Sequence, residues 1–122
     1  VRTLADNAKL RATLAALKRP EIEFVRVPVG GGVELDGWCM KPATVEPGAK
    51  LPLLMYVYGE PHGQTVRDAW PGTRGLWHWM LAQQGFVVAS VDNRGTNVPR
   101  GRECRKSVHR KIGIVAPAEQ AA

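Results

Sequence analysis

Two short stretches carry residue types suited to chemistry at the mouth of a strand. The first is Tyr58-Gly59-Glu60-Pro61-His62-Gly63-Gln64; the second is Asp92-Asn93-Arg94-Gly95-Thr96. Each follows an apolar run that reads as a strand, and open α/β sheets bind ligands beyond the carboxyl ends of their strands. Tyr58 would offer a phenolic donor there. Gly59 would let the chain turn sharply and let a ligand approach. A donor so placed can stabilise a developing oxyanion. The bland alternative is a core aromatic with one wet end.

An acyl-transfer triad also needs a nucleophile, a histidine and a carboxylate. The only serines are Ser90 and Ser107, and neither sits in Gly-x-Ser-x-Gly. Ser90 falls inside an apolar run expected to be buried, the wrong place for an exposed nucleophile. His78 lies between aromatic neighbours Trp77 and Trp79 and reads as packing, His109 lies in a basic run, and His62 lies within the first stretch. No GxxxxGK[ST] occurs, and no GxGxxG follows a strand. Cys39 and Cys104 show no CxxC or Cys-x-x-His spacing, so they read as two separate thiols rather than zinc ligands. No cofactor or metal is expected.

Positive charge collects in one place. Arg94, Arg100, Arg102, Arg105, Lys106, Arg110 and Lys111 face Glu103 alone, and the chain as a whole carries 17 Lys+Arg against 11 Asp+Glu, a net charge of +6. One reading of this run is a small basic binding module for nucleic acid or an acidic partner, without catalysis. The other is a solvated segment. No aromatic residue is interleaved from 94 to 111, which argues against stacking on single strands.

The elements that must position these residues follow from periodicity. Residues 3–19 read as a helix: Leu10, Leu14 and Leu17 form a narrow stripe, Thr3 could cap the start and Pro20 ends it. Such a helix is marginal alone and must dock on something. From Ile22 the period becomes two. Val25, Val27 and Val29 alternate with other residues, Gly30-Gly31-Gly32 turns the chain, and Val33, Leu35 and Cys39 alternate on a return strand ending near Met40. Lys41 to Lys50 is a loop. Leu51 to Tyr58 is apolar almost throughout, as a strand buried on both faces must be. After a loop from Gly59 to Gly72, Thr73 can cap a helix over 74–84, with Leu76/Met80 and Trp77/Leu81 as i, i+4 pairs and Gly85 as its C-terminal cap. Phe86 to Val91 is a second buried strand, closed by Asp92.

This order gives an α/β chain in which an antiparallel hairpin leads into a mostly parallel sheet. With 44% hydrophobic and 23% charged residues it is too apolar for a disordered tail. Its apolar runs are far shorter than the roughly 20 residues that cross a bilayer. The first residue is Val and no leader peptide is visible, so the sequence assigns no compartment. The strands and helices are too few to cover the sheet, and the expectation is a truncated chain. An incomplete sheet edge could then pair with a partner chain.

The string Val57 to Gln64, then Leu81 to Thr96, then Arg100-Gly101-Arg102, keeps its order and spacing in a way that resembles the catalytic domain of the prolyl oligopeptidase family, in particular its dipeptidyl peptidase IV branch. Gly113 followed by Glu119-Gln120 resembles a later family landmark, and Leu35-Asp36-Gly37-Trp38 resembles the entry to that domain. The resemblance implies an α/β-hydrolase fold, here incomplete, in a serine peptidase that releases N-terminal dipeptides. It implies that residues 1–20 are a helical lead-in and 21–122 the N-terminal part of the catalytic domain. Tyr58 matches the family's oxyanion-hole tyrosine. Glu60 stands where relatives commonly have a second Gly, and Glu119 where they have Asp. The nucleophile and its Asp and His partners would lie outside this chain, so the 122 residues alone are expected to be inactive. Peptide is the implied substrate, and either missing parts of the domain or a partner chain would complete the sheet.

Overall fold

The computed structural model describes residues 5–17, 19–59 and 61–122. Strands β1 (Ile22–Pro28) and β2 (Glu34–Met40) run antiparallel with Phe24 opposite Trp38 and Val25 opposite Gly37. The turn between them falls on Gly30, Gly31 and Gly32, all at positive φ, where a side chain would be strained. β2 pairs antiparallel with β4 (Val87–Asp92), and β4 pairs parallel with β3 (Leu53–Met55). The strand order is β1-β2-β4-β3.

The expected mostly parallel sheet is therefore a mixed one. Among the described residues the β3–β4 pairing alone is parallel, because it alone is joined by a crossover long enough to carry a helix. That helix is α2 (Gly72–Gln83). It packs on β4 and β2, and the core forms between them from Trp38, Met40, Trp79, Ala82 and Val88, with Leu54, Tyr56, Val66, Leu81 and Phe86 against it.

Several elements depart from the periodicity. The strand expected over Leu51 to Tyr58 and buried on both faces is three residues long, and Leu53 and Met55 are exposed. It lies at the sheet's edge, and α2 covers one face only. β4 alternates buried Val88, Ser90 and Asp92 with half-buried neighbours rather than burying every side chain. In α2 the buried face is Gly75, His78, Trp79 and Ala82, whereas Leu76, Trp77 and Met80 of the expected pairs are exposed. The helix is apolar on two sides, so the i, i+4 pattern alone did not select the inner one. It begins at Gly72, before Thr73, and no side chain caps it.

The N-terminal helix α1 is Ala8–Ala16, shorter than the 3–19 reading, and none of its residues is buried. The expected cap Thr3 lies outside the described residues. Beyond β4, the polar Gly- and Pro-rich segment contains two short helices, α3 (Gly101–Lys106) and α4 (Val115–Gln120).

Candidate active site

Tyr58 sits just past the carboxyl end of β3. The Tyr56 N–H donates to the Ala89 carbonyl at 2.8 Å, which carries the β3–β4 ladder almost to the site. Gly59 then takes φ 79°, the left-handed turn that breaks the strand. The Tyr58 side chain is 48% exposed. Its ring lies directly over Gly63, and a Cβ at position 63 would fall inside the ring. The glycine is thus a seat for the phenol, whose body is supported while its edge remains in water.

The loop after Tyr58 is held by β4. The buried Asp92 carboxylate accepts hydrogen bonds from the Thr65 N–H at 2.9 Å, the Thr65 hydroxyl at 2.7 Å and the Val66 N–H at 3.0 Å. The indole N–H of Trp38 on β2 donates to the Thr65 carbonyl at 3.1 Å. The Ser90 hydroxyl donates to the Tyr56 carbonyl and lies 2.7 Å from the Thr65 hydroxyl. Hydrogen bonds to a charged group are worth about 1.5–3 kcal/mol each, and a buried donor stripped of its partner costs about 1–3 kcal/mol. Asp92 therefore fixes the far end of the loop that Tyr58 begins.

The second stretch is closed rather than open. The Arg94 N–H donates to the Glu119 carboxylate at 2.8 Å, and the Arg94 guanidinium forms an ion pair with the same group. Glu119 is buried. The Gln120 side chain donates to the Val91 carbonyl at 2.7 Å, and the Thr96 hydroxyl to the Asn93 carbonyl at 2.8 Å. The bonds of Glu119 and Gln120 dock α4 at the end of β4. The basic run is likewise partly spent inside the chain: Arg100 pairs with Asp36 at 2.9 Å and donates to the Glu34 carbonyl.

Neither serine is placed as a nucleophile. Ser90 is fully buried, and Ser107 donates to the Cys104 carbonyl at 2.8 Å. His62 and His109 are exposed, and His78 is buried in α2. Burial, and secondarily the Arg74 charge, push the His78 imidazole below its ordinary value, so it is held neutral. Burial also pushes the Cys39 thiol up, away from the thiolate form. Glu60 lies outside the described residues.

One cavity of about 320 Å³ adjoins the site. Tyr58, His62 and Gly63 line it together with Trp38, Tyr56, Arg74 and His78. The Arg74 guanidinium stands 4.9 Å over the Tyr56 ring and donates to the Tyr56 hydroxyl. Thr65, Tyr56 and Arg74 were not singled out by the sequence. Tyr56 stands two residues before Tyr58, the spacing that puts two side chains of an extended chain on one face, and Arg74 is the sole Lys, Arg, Asp or Glu in α2; both are signals a pattern search could use.

A half-exposed phenol on a braced loop, with no serine or cysteine lining the cavity beside it among the described residues, can donate to a charge generated by a group from elsewhere. No family model matches the chain. Curated relatives do. A probable dipeptidyl peptidase 4 from Aspergillus flavus is 30% identical over 121 residues, which is 98% of this chain and 16% of the relative. Mouse prolyl endopeptidase FAP is 31% identical over 123 residues, 98% of this chain and 15% of the relative. The crystal structure of Porphyromonas gingivalis dipeptidyl peptidase 4 superposes with a TM-score of 0.85 at 36% identity, covering 99% of this chain and 17% of that one. The chain thus spans about a sixth of the length of these relatives. Its homologues and structural neighbours are dipeptidyl peptidase 4 and related peptidases of the prolyl oligopeptidase family, and the likeness runs through nearly all of its residues.

Proposed function

We propose that this chain is the part of a serine peptidase of the dipeptidyl peptidase and prolyl oligopeptidase type that supplies one oxyanion donor, the hydroxyl of Tyr58. Residues 21–122 are then the N-terminal part of an α/β-hydrolase catalytic domain and residues 1–20 its helical lead-in. The whole protein releases N-terminal dipeptides by acyl transfer. A serine supplied from outside these residues attacks the scissile carbonyl, and negative charge moves onto its oxygen. Tyr58 and a backbone N–H beside that serine donate to this oxygen as the tetrahedral intermediate forms. The substrate is a peptide.

The observation that carries this reading is the mounting of Tyr58. The ring rests on Gly63, stays open to solvent, and belongs to a loop pinned by Asp92. A tyrosine serving the core would bury its ring, whereas this residue is 48% exposed. Support also comes from the relatives named above and from the absence of any usable serine among the described residues.

The test is Tyr58→Phe in the polypeptide that includes the nucleophile, assayed on a Pro- or Ala-containing dipeptidyl chromogenic substrate. Loss of one oxyanion donor lowers kcat about 10²–10³-fold with KM little changed. An unchanged kcat overturns the role of Tyr58. The 122 residues alone hydrolyse nothing, and turnover abolished by a mutation within them would overturn the reading as a whole.

A further inference from the structure

The cavity beside Tyr58 has chemistry that an oxyanion donor does not require. Among the described residues its lining includes Arg67, Arg74, His62 and His78 but no carboxylate. Arg74 gives one hydrogen bond to the Tyr56 hydroxyl and pairs with no acid among the described residues. A guanidinium has five N–H donors in a planar fork, so most of its capacity is unspent. The fork is already oriented by the Tyr56 ring 4.9 Å beneath it. One helical turn on, His78 is 4% exposed, yet its Nε2 atom has no hydrogen-bond partner. Its ring is packed between Trp38 at 5.5 Å and Tyr56 at 5.3 Å, so the imidazole cannot swing out to find one. Trp38 and Trp70 add apolar wall.

We propose that this cavity binds a carboxylate carried on an aromatic or apolar body, with the carboxylate on the Arg74 guanidinium and the body against Trp38 and Trp70. Arg74 contributes charge and a two-pronged donor geometry matched to a carboxylate. His78 walls the cavity beside Arg74 with its Nε2 closed to solvent, so its ring reports on occupancy without bonding the carboxylate. The cavity is large enough for one amino-acid-sized acid and sits in the range of small-ligand pockets. The site stands whether or not Tyr58 serves a nucleophile.

The test titrates N-acetyl-L-phenylalanine into the full chain, with N-acetyl-L-phenylalaninamide as the uncharged control, and follows the His78 ring nitrogens and the Trp38 indole N–H by NMR. The acid shifts both sets of signals and the amide binds far more weakly. Arg74→Gln, at an exposed position that leaves the core intact, weakens the acid about 10- to 100-fold, the equivalent of one charge-assisted contact. Arg74→Lys restores part of the loss. A tetrapeptide ending in a free phenylalanine carboxylate distinguishes the source. Tighter binding than the acetylated amino acid assigns a peptide C-terminus, and weaker binding assigns a free aromatic acid. Equal affinity for acid and amide, unchanged affinity in Arg74→Gln, or binding of neither probe overturns the site.

Discussion

At the scale of single residues, the site rests on side chains that never approach the proposed reaction. Asp92 accepts three hydrogen bonds from Thr65 and Val66 across the gap between loop and strand. Asp92→Ala orphans two backbone donors, at about 1–3 kcal/mol apiece. Hydrogen exchange at the Thr65 and Val66 amides then rises sharply while the β1–β2 amides stay protected. Equal protection in both variants would sink the tether. His78 makes a second prediction. Its folded pKa lies below the ordinary 6.5 because burial disfavours the imidazolium. Above about pH 6.5 both folded and unfolded states hold it neutral, and its effect on stability is nil. As pH falls toward the depressed folded value the unfolded state takes the proton first, so stability drops across that window. His78→Leu removes this drop. Urea midpoints at pH 7.5 and pH 5 should diverge less for the variant than for the parent, and parallel profiles would refute it.

At the scale of elements, the pattern of residues fixed some features and left others open. The hairpin is written in the alternation from Val25 to Cys39 and in three consecutive glycines. The end of β4 is marked by Asp92. Tyr58 was legible because a strand-like run stops there at a glycine. The inner face of α2 was not legible, because Leu76, Trp77 and Met80 are as apolar as Trp79 and Ala82, and the choice between faces is made by what β2 and β4 present. The Asp92–Thr65 tether links positions far apart in sequence, and no local spacing announces it. The docking of α4 was hidden for the same reason. Glu119 and Gln120 read as a family landmark, and their partners Arg94 and Val91 appear only when β4 and α4 meet. Glu119→Ala should cost about 1.5–3 kcal/mol, the worth of hydrogen bonds to a charged group. It should also release α4, read as loss of amide protection over 115–120 with the sheet intact. Unaltered protection there would show that the Arg94 pairing does not hold the helix.

At the scale of the whole molecule, the β3 edge of the sheet and the outer side of α2 stay open to solvent. Leu53 and Met55 project from the edge strand into solvent, and Leu76, Trp77 and Met80 form an outer apolar strip on α2. Exposed edges and apolar patches of this kind favour association. The net charge of +6 opposes it but is concentrated after residue 94, away from β3. The chain at tens of micromolar should therefore sediment as more than a monomer in moderate salt. Leu53→Lys combined with Met55→Lys should return it to monomer with little change in fold, since neither side chain is buried. Identical sedimentation of parent and variant would remove the edge as the cause.

The anchoring of Thr65 by the last residue of β4 makes two regions of the chain unequal in their tolerance of altered length. The loop from Lys41 to Lys50 joins β2 to β3 without touching the tether, so it can grow or shrink by several residues at small entropic expense. One residue inserted into or deleted from β4 is another matter. Side chains on a strand alternate in direction, so such an indel would turn the carboxylate toward the wrong face of the sheet and leave the phenol's loop unmoored.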